Sequence, residues 1–262
     1  MLPAMDTRRG EAADGAAAFF DLDKTLISRS STLAFAPSFY QHGLISKTQV
    51  FRGALAQLVF RAGGASPAQM ERIREQVTRL CRGWPAERVS EIVADHLADI
   101  IGPLIYEQAR SLLDSHREAG HDVFIVSTSG QEMVGPISHM LGASGTIATR
   151  MRIVDGHYTG EIDFYAYGPA KATRVRELAA QRGYHLPDCF AYSDSATDIP
   201  LLEAVGRPHA VNPDRELRRV ARDRGWPVLE FVGGSARGML AARSIEITNR
   251  QRQGLHSGPD RT

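Results

Sequence analysis

Short apolar runs alternate with stretches of helical periodicity along most of the chain. Residues 16–20 form an apolar run that stops at Asp21, residues 121–126 one that stops at Ser127, and residues 189–192 one that stops at Ser193 and Asp194. Weaker runs cover 208–211 and 228–231. Between them, helical patterns occupy about 104–119, 130–141, 169–182, 197–204 and 213–224, as amphipathic helices do. Apolar runs of this kind suit strands covered on both faces. Their alternation with helices predicts an α/β fold built on a Rossmann-like parallel sheet. The stretch 151–160 reads as a hairpin turning at Asp155-Gly156, because that dipeptide accepts the backbone a two-residue turn demands.

Residues 28–102 break the alternation. Four helical patterns follow one another at roughly 30–42, 46–62, 67–81 and 85–100, punctuated by Gly43, Gly63-Gly64 and Gly83. Pro67 and Pro85 sit where first-turn prolines are tolerated. A helical block inserted after the first strand predicts a separate cap domain over the carboxyl ends of the strands, where such sheets bind ligands. The expected division is an N-terminal tail at 1–15, a catalytic core at 16–27 and 103–232, the cap at 28–102, and a C-terminal tail at 233–262. Arg8-Arg9 is followed by Gly10 and Glu11 instead of the apolar stretch an export signal requires, so the first segment reads as a loose tail.

Composition narrows the class. Lys and Arg number 31 and Asp and Glu 30, for a net charge of +1, which offers no global field for gripping nucleic acid or an anionic membrane. No apolar run reaches the ~18 residues that would suggest a membrane span. Cys81 and Cys189 are the only cysteines. That pattern excludes a disulfide scaffold or a cysteine-based zinc site and fits a cytoplasmic protein.

The chemistry gathers where strands end. Asp21 and Asp23 occupy DLDKT at 21–25; side chains two apart in a strand point the same way, so both can face one site. Two carboxylates this close repel unless they share a cation or a proton. Ser127 follows the second run, Asp194 and Asp198 follow the third, and Lys171 opens a helix after Gly168-Pro169-Ala170. Each alone has a dull explanation as a cap or a solvated charge. Together they are carboxylates, a hydroxyl and a cation expected at one edge of one sheet.

These stretches, DLDKT at 21–25, VSTS at 126–129, Lys171 and SDSATD at 193–198, resemble the haloacid dehalogenase-like hydrolases, in particular the phosphoserine phosphatase-like branch with a helical cap. The resemblance covers about residues 17–232. It implies that Asp21 is a nucleophile and Asp23 a general acid and base. It further implies that Ser127, Thr128 and Lys171 hold a transferring phosphoryl group. Asp21, the Asp23 main-chain carbonyl and Asp194 would bind Mg2+, with Thr25 and Asp198 in support. The implied activity is hydrolysis of a small-molecule phosphomonoester through an aspartyl-phosphate. The alternatives are transfer of the phosphoryl group to an alcohol acceptor and, in another class, a receiver-like signalling module. The charges agree with a metal: Mg2+ and Lys171 together nearly cancel four carboxylates, and a hard divalent ion takes oxygen ligands and keeps several waters.

The cap departs from a phosphoserine reader. Between Lys24 and Met70 there is no Asp or Glu, whereas the resemblance places a Glu soon after the first motif to meet the substrate ammonium. L-Phosphoserine is therefore expected to be a poor substrate. Phe35, Phe39, Tyr40, Phe51 and Phe60 read as the cap's own core, and Arg29, Arg52 and Arg61 as solvated.

Overall fold

The computed structural model describes residues 15–46 and 67–233. Among these, seven strands form one sheet: β1 (Ala17–Phe20), β2 (Asp122–Gly130), β3 (Gly145–Val154), β4 (His157–Phe164), β5 (Phe190–Ser193), β6 (Arg207–Val211) and β7 (Val228–Leu229). Their order is β4-β3-β2-β1-β5-β6-β7, and every pairing is parallel except β3 with β4. The expected α/β architecture is present, with β1 at the centre.

β1 divides its side chains by the two-residue period of a strand. Ala18 and Phe20 pack into one apolar cluster and Ala17 and Phe19 into the other, one on each face. β2 does the same, with Val123 and Ile125 on the first face and Phe124 and Val126 on the second. Both faces are thus covered, which explains the apolar runs.

Between β1 and β2 lie the inserted helices α1 (Ser31–Ala34), α2 (Ala36–Gln41), α3 (Pro67–Cys81) and α4 (Ala86–Ile101). The pattern at 30–42 is broken into two short helices because Pro37 falls in the first turn of α2, where its missing N–H costs no helical bond. Phe35 and Phe39 are buried as expected, whereas Tyr40 is exposed. The predicted helix at 46–62, with Phe51, Phe60, Arg52 and Arg61, lies outside the described residues apart from Ser46, as do residues 1–14 and 234–262 of the two predicted tails.

The remaining helices are α5 (Glu107–Glu118), α6 (Gln131–Met140), α7 (Pro169–Arg182), α8 (Ile199–Leu202) and α9 (Arg215–Arg224). The predicted helix at 197–204 is shorter than expected, since a 3-10 turn at Ala196–Asp198 precedes α8. The hairpin does turn at Asp155-Gly156, both with positive φ. It is longer than the sequence suggested, because the start of β3 also pairs with β2. Among the described residues no helix is long and apolar enough to cross a membrane.

His116 of α5 is buried on the first face. Its Nε2 lies 2.8 Å from Tyr192 Oη and its Nδ1 2.9 Å from His121 Nδ1, and its ring meets Phe20 and Phe190 edge to face. Burial, followed by the neighbouring His121 and His209, pushes its pKa down from 6.5 to about 4. At this residue the unfolded chain therefore binds a proton in this window that the folded one refuses, so the stability His116 contributes falls as pH drops from 6.5 to 4. The expected result is a Tm advantage of the wild type over His116→Gln that shrinks over that range, read by thermal melts at each pH. Identical slopes would contradict it.

Candidate active site

The site is built where the central parallel strands end. Asp21 follows β1 directly, and its N–H donates to Tyr192 O at 2.9 Å, so the β1–β5 pairing carries on into the loop. The chain then wraps around Leu22 O, which accepts from the N–H groups of Thr25, Leu26 and Ile27. Lys24 takes a positive φ of 67° to make that turn. The wrap holds Asp21 and Asp23 at the mouth of the sheet.

Lys171 reaches the same point from the first turn of α7. The preceding Gly168 has φ +54° and ψ −127°, a conformation that only glycine adopts at low cost. Lys171 is 2 % exposed, and its Nζ donates to Asp21 Oδ1 at 2.8 Å and to Asp198 Oδ2 at 2.7 Å. Ser193 Oγ also donates to Asp198 Oδ2, at 2.8 Å, and Thr25 Oγ1 to Asp21 Oδ2, at 3.3 Å. The loop bearing Asp194 and Asp198 is pinned from behind. Asp214, the N-cap of α9, donates its N–H to Asp194 O and accepts from Ala196 N and Leu217 N.

Burial and mutual repulsion dominate the electrostatics. Burial, together with the Asp198 and Asp23 carboxylates, outweighs Lys171 and pushes Asp21 up to about 7. Burial and the Asp21 carboxylate push Asp194 up to about 8 despite Lys24 and Lys171. Burial likewise raises Asp23. For Lys171, burial acts downward, but Asp198 and Asp21 overcome it and hold the ammonium above its ordinary range. Asp198 Oδ1 is buried with no hydrogen-bond partner among the described residues. Two buried carboxylates, Asp21 and Asp194, of which the first raises the second, and an orphaned acceptor at Asp198 suit a hydrated hard divalent cation. Among the described residues no three His, Cys, Asp or Glu side chains form a metal cage by themselves. The family resemblance would add the Asp23 main-chain carbonyl to the carboxylates of Asp21 and Asp194.

Ser127 is buried on β2, and its Oγ accepts from Ser129 N at 3.2 Å. Asp21, Asp23, Ser127, Lys171, Asp194, Asp198 and Thr25 thus meet through a continuous set of contacts or electrostatic couplings. Thr128 differs: its hydroxyl donates to Ala166 O at 2.9 Å, while Thr149 Oγ1 donates to Thr128 O at 2.7 Å. Its side chain ties β2 to the β3 side, so any phosphate contact from it would have to come from the main chain. Sequence reasoning missed Ser31, Thr32 and Ser129, whose hydroxyls cluster beside Asp23. Ser129 stands two positions after Ser127, a spacing that signals a shared strand face. Ser31 and Thr32 lie on the inserted segment and gave no comparable signal.

Comparisons with known proteins agree with this fold. The profile of haloacid dehalogenase-like hydrolases matches residues 18–203. The chain is 61 % identical over 216 residues to an inhibition of morphological differentiation protein of Streptomyces azureus, covering 82 % of this chain and 78 % of that one. It is 52 % identical over 215 residues to a probable phosphatase of Mycobacterium tuberculosis, covering 82 % and 75 %. A crystal structure of a Bordetella pertussis protein of unknown function superposes with a TM-score of 0.72 at 30 % identity, covering 83 % of this chain and 99 % of that one.

Removing Lys171 leaves Asp21 and Asp198 buried against one another, and breaking a buried pair costs about 3–5 kcal/mol. Lys171→Met is expected to lose stability of that order at pH 8, measured by urea unfolding. The loss should shrink at pH 5, where the carboxyl groups can neutralise by protonation. A loss independent of pH would contradict the charge account.

Proposed function

Since the chain belongs to the haloacid dehalogenase-like hydrolases and is a phosphatase of that family, we propose that it hydrolyses a small-molecule phosphomonoester through an aspartyl-phosphate on Asp21. The observation that carries this reading is the contact of buried Lys171 with both Asp21 and Asp198 at the mouth of the parallel sheet. It supports Asp21 as nucleophile and Lys171 as the cation for phosphoryl oxygens acting together.

In the first step an Asp21 carboxylate oxygen forms a bond to phosphorus while the bond to the leaving oxygen breaks. Asp23, protonated, gives its proton to that leaving oxygen. In the second step Asp23, now ionised, takes a proton from water. The water oxygen bonds to phosphorus, the Asp21–phosphorus bond breaks, and inorganic phosphate departs. Lys171 and the Ser127 hydroxyl hold phosphoryl oxygens through both steps, which matters because phosphoryl transfer depends mainly on positioning and charge stabilisation. Asp21, Asp194 and the Asp23 carbonyl would hold Mg2+, with Asp198 and Thr25 in support. Bound there, the ion supplies charge neutralisation and polarises the phosphoryl group. Asp21, whose pKa is pushed up to about 7 without such a cation, would then be ionised at neutral pH.

Recognition of the leaving group belongs to the inserted segment. Its run from Lys24 to Met70 has no carboxylate to meet an ammonium, which disfavours L-phosphoserine. Both cysteines are free thiols, in keeping with the cytoplasmic setting we assign.

Asp21→Asn keeps the shape of the side chain but not its nucleophilicity. Release of inorganic phosphate from 4-nitrophenyl phosphate is expected to fall by on the order of 10³ or more, with an unchanged far-UV spectrum; wild-type rates would remove Asp21 from its role. EDTA is expected to abolish turnover of the wild type and excess Mg2+ to restore it. Full activity in the chelator would remove the metal.

A further inference from the structure

The phosphatase reading uses the Asp23 carboxyl but leaves unexplained what fixes it in place, and the hydroxyl cluster beside it answers that. Asp23 Oδ1 accepts the Ser31 N–H at 2.9 Å, and Asp23 Oδ2 accepts the Ser129 hydroxyl at 3.4 Å. The Ser129 oxygen in turn lies 3.0 Å from Ser31 Oγ and 3.3 Å from Thr32 Oγ1. Ser31 is fully buried and Ser129 nearly so.

A serine hydroxyl has one proton and two lone pairs. With the Ser129 proton directed at Asp23, both lone pairs are left for the hydroxyls of Ser31 and Thr32, and its capacity is full. An amide N–H can only donate, so Oδ1 is held as an acceptor whichever way the hydroxyl protons turn. The two contacts, one on each oxygen and from different parts of the chain, restrict rotation of the carboxyl group.

Resting on the reading above, we infer that Ser129 is a positioning residue for leaving-group protonation: with Ser31 it fixes the plane of the Asp23 carboxyl. Ser31 and Thr32 belong to α1, the first of the inserted helices, so the segment that covers the site also completes the support of its general acid. The Ser129 main chain has a separate job, since its N–H donates to Ser127 Oγ. Ser129→Ala removes the hydroxyl and leaves that bond.

The test exploits the leaving group. 2,4-Dinitrophenolate departs without help, whereas phenolate needs a proton. General acid catalysis supplies about 10²–10⁴-fold, and loss of alignment forfeits part of it. Ser129→Ala is therefore expected to lower kcat/KM for phenyl phosphate at least ~10-fold more than for 2,4-dinitrophenyl phosphate. Ser129→Thr, which restores a hydroxyl, should return the ratio toward the wild-type value. Equal losses on the two substrates, or no loss on either, overturn the role of Ser129 while leaving the phosphatase reading intact. A wild type that releases phosphate from neither ester overturns both. If Ser129→Ala does not fold, Ser31→Ala keeps the N–H and removes one saturating hydroxyl. It must show the same selective loss for phenyl phosphate, or the inference falls.

Discussion

Four carboxylates crowded at one edge of a sheet are the constraint around which this molecule is arranged. Asp21, Asp194 and Asp198 are all nearly withdrawn from water, and burying like charges together is costly unless cations answer them. The fold supplies one such cation within itself. Lys171 donates to Asp21 and Asp198 at once, and the attraction is strong enough to hold the ammonium in its charged form against its own burial. What one ammonium does not neutralise is the ground for assigning a divalent ion to the remainder.

Several features otherwise unrelated in sequence serve this arrangement. Gly168 permits the backbone that launches α7 with Lys171 facing inward. The wrap around Leu22 O returns the chain so that Asp23 lies beside the hydroxyls of Ser31 and Ser129. Asp214, on the helix after β6, braces the loop of Asp194 from behind. A parallel sheet suits the purpose because its strand ends bring distant parts of the chain to a single rim.

The distribution of hydroxyls divides the site into two kinds of support. Thr25 and Ser193 attend the carboxyl groups in contact with Lys171, where each donates to one carboxyl oxygen. Ser31, Thr32 and Ser129 attend Asp23, which the proposed mechanism has protonated and ionised in turn. Hydroxyl groups suit that position because, unlike a fixed cation, they do not favour the ionised form so strongly that the proton is lost.

Much of this was legible in the chain itself. Apolar runs ending at Asp21, Ser127 and Asp194 marked the central strands and placed their chemistry at one edge, because burial on both faces forces such runs and parallel pairing aligns their ends. Pro169 and Gly183 bounded α7 to the residue. Other features were decided only by the folded molecule. The pairing of β3 with both β2 and β4 and the length of α8 depend on neighbours that no local pattern contains. Thr128 and Ser129 are adjacent and chemically alike, yet one hydroxyl braces the sheet at Ala166 and the other braces Asp23. Sequence fixes which groups are available and on which side of a strand they emerge; the partner each one meets is settled by elements arriving from 38 to 106 residues away, and hydrogen bonds form only with what stands within reach.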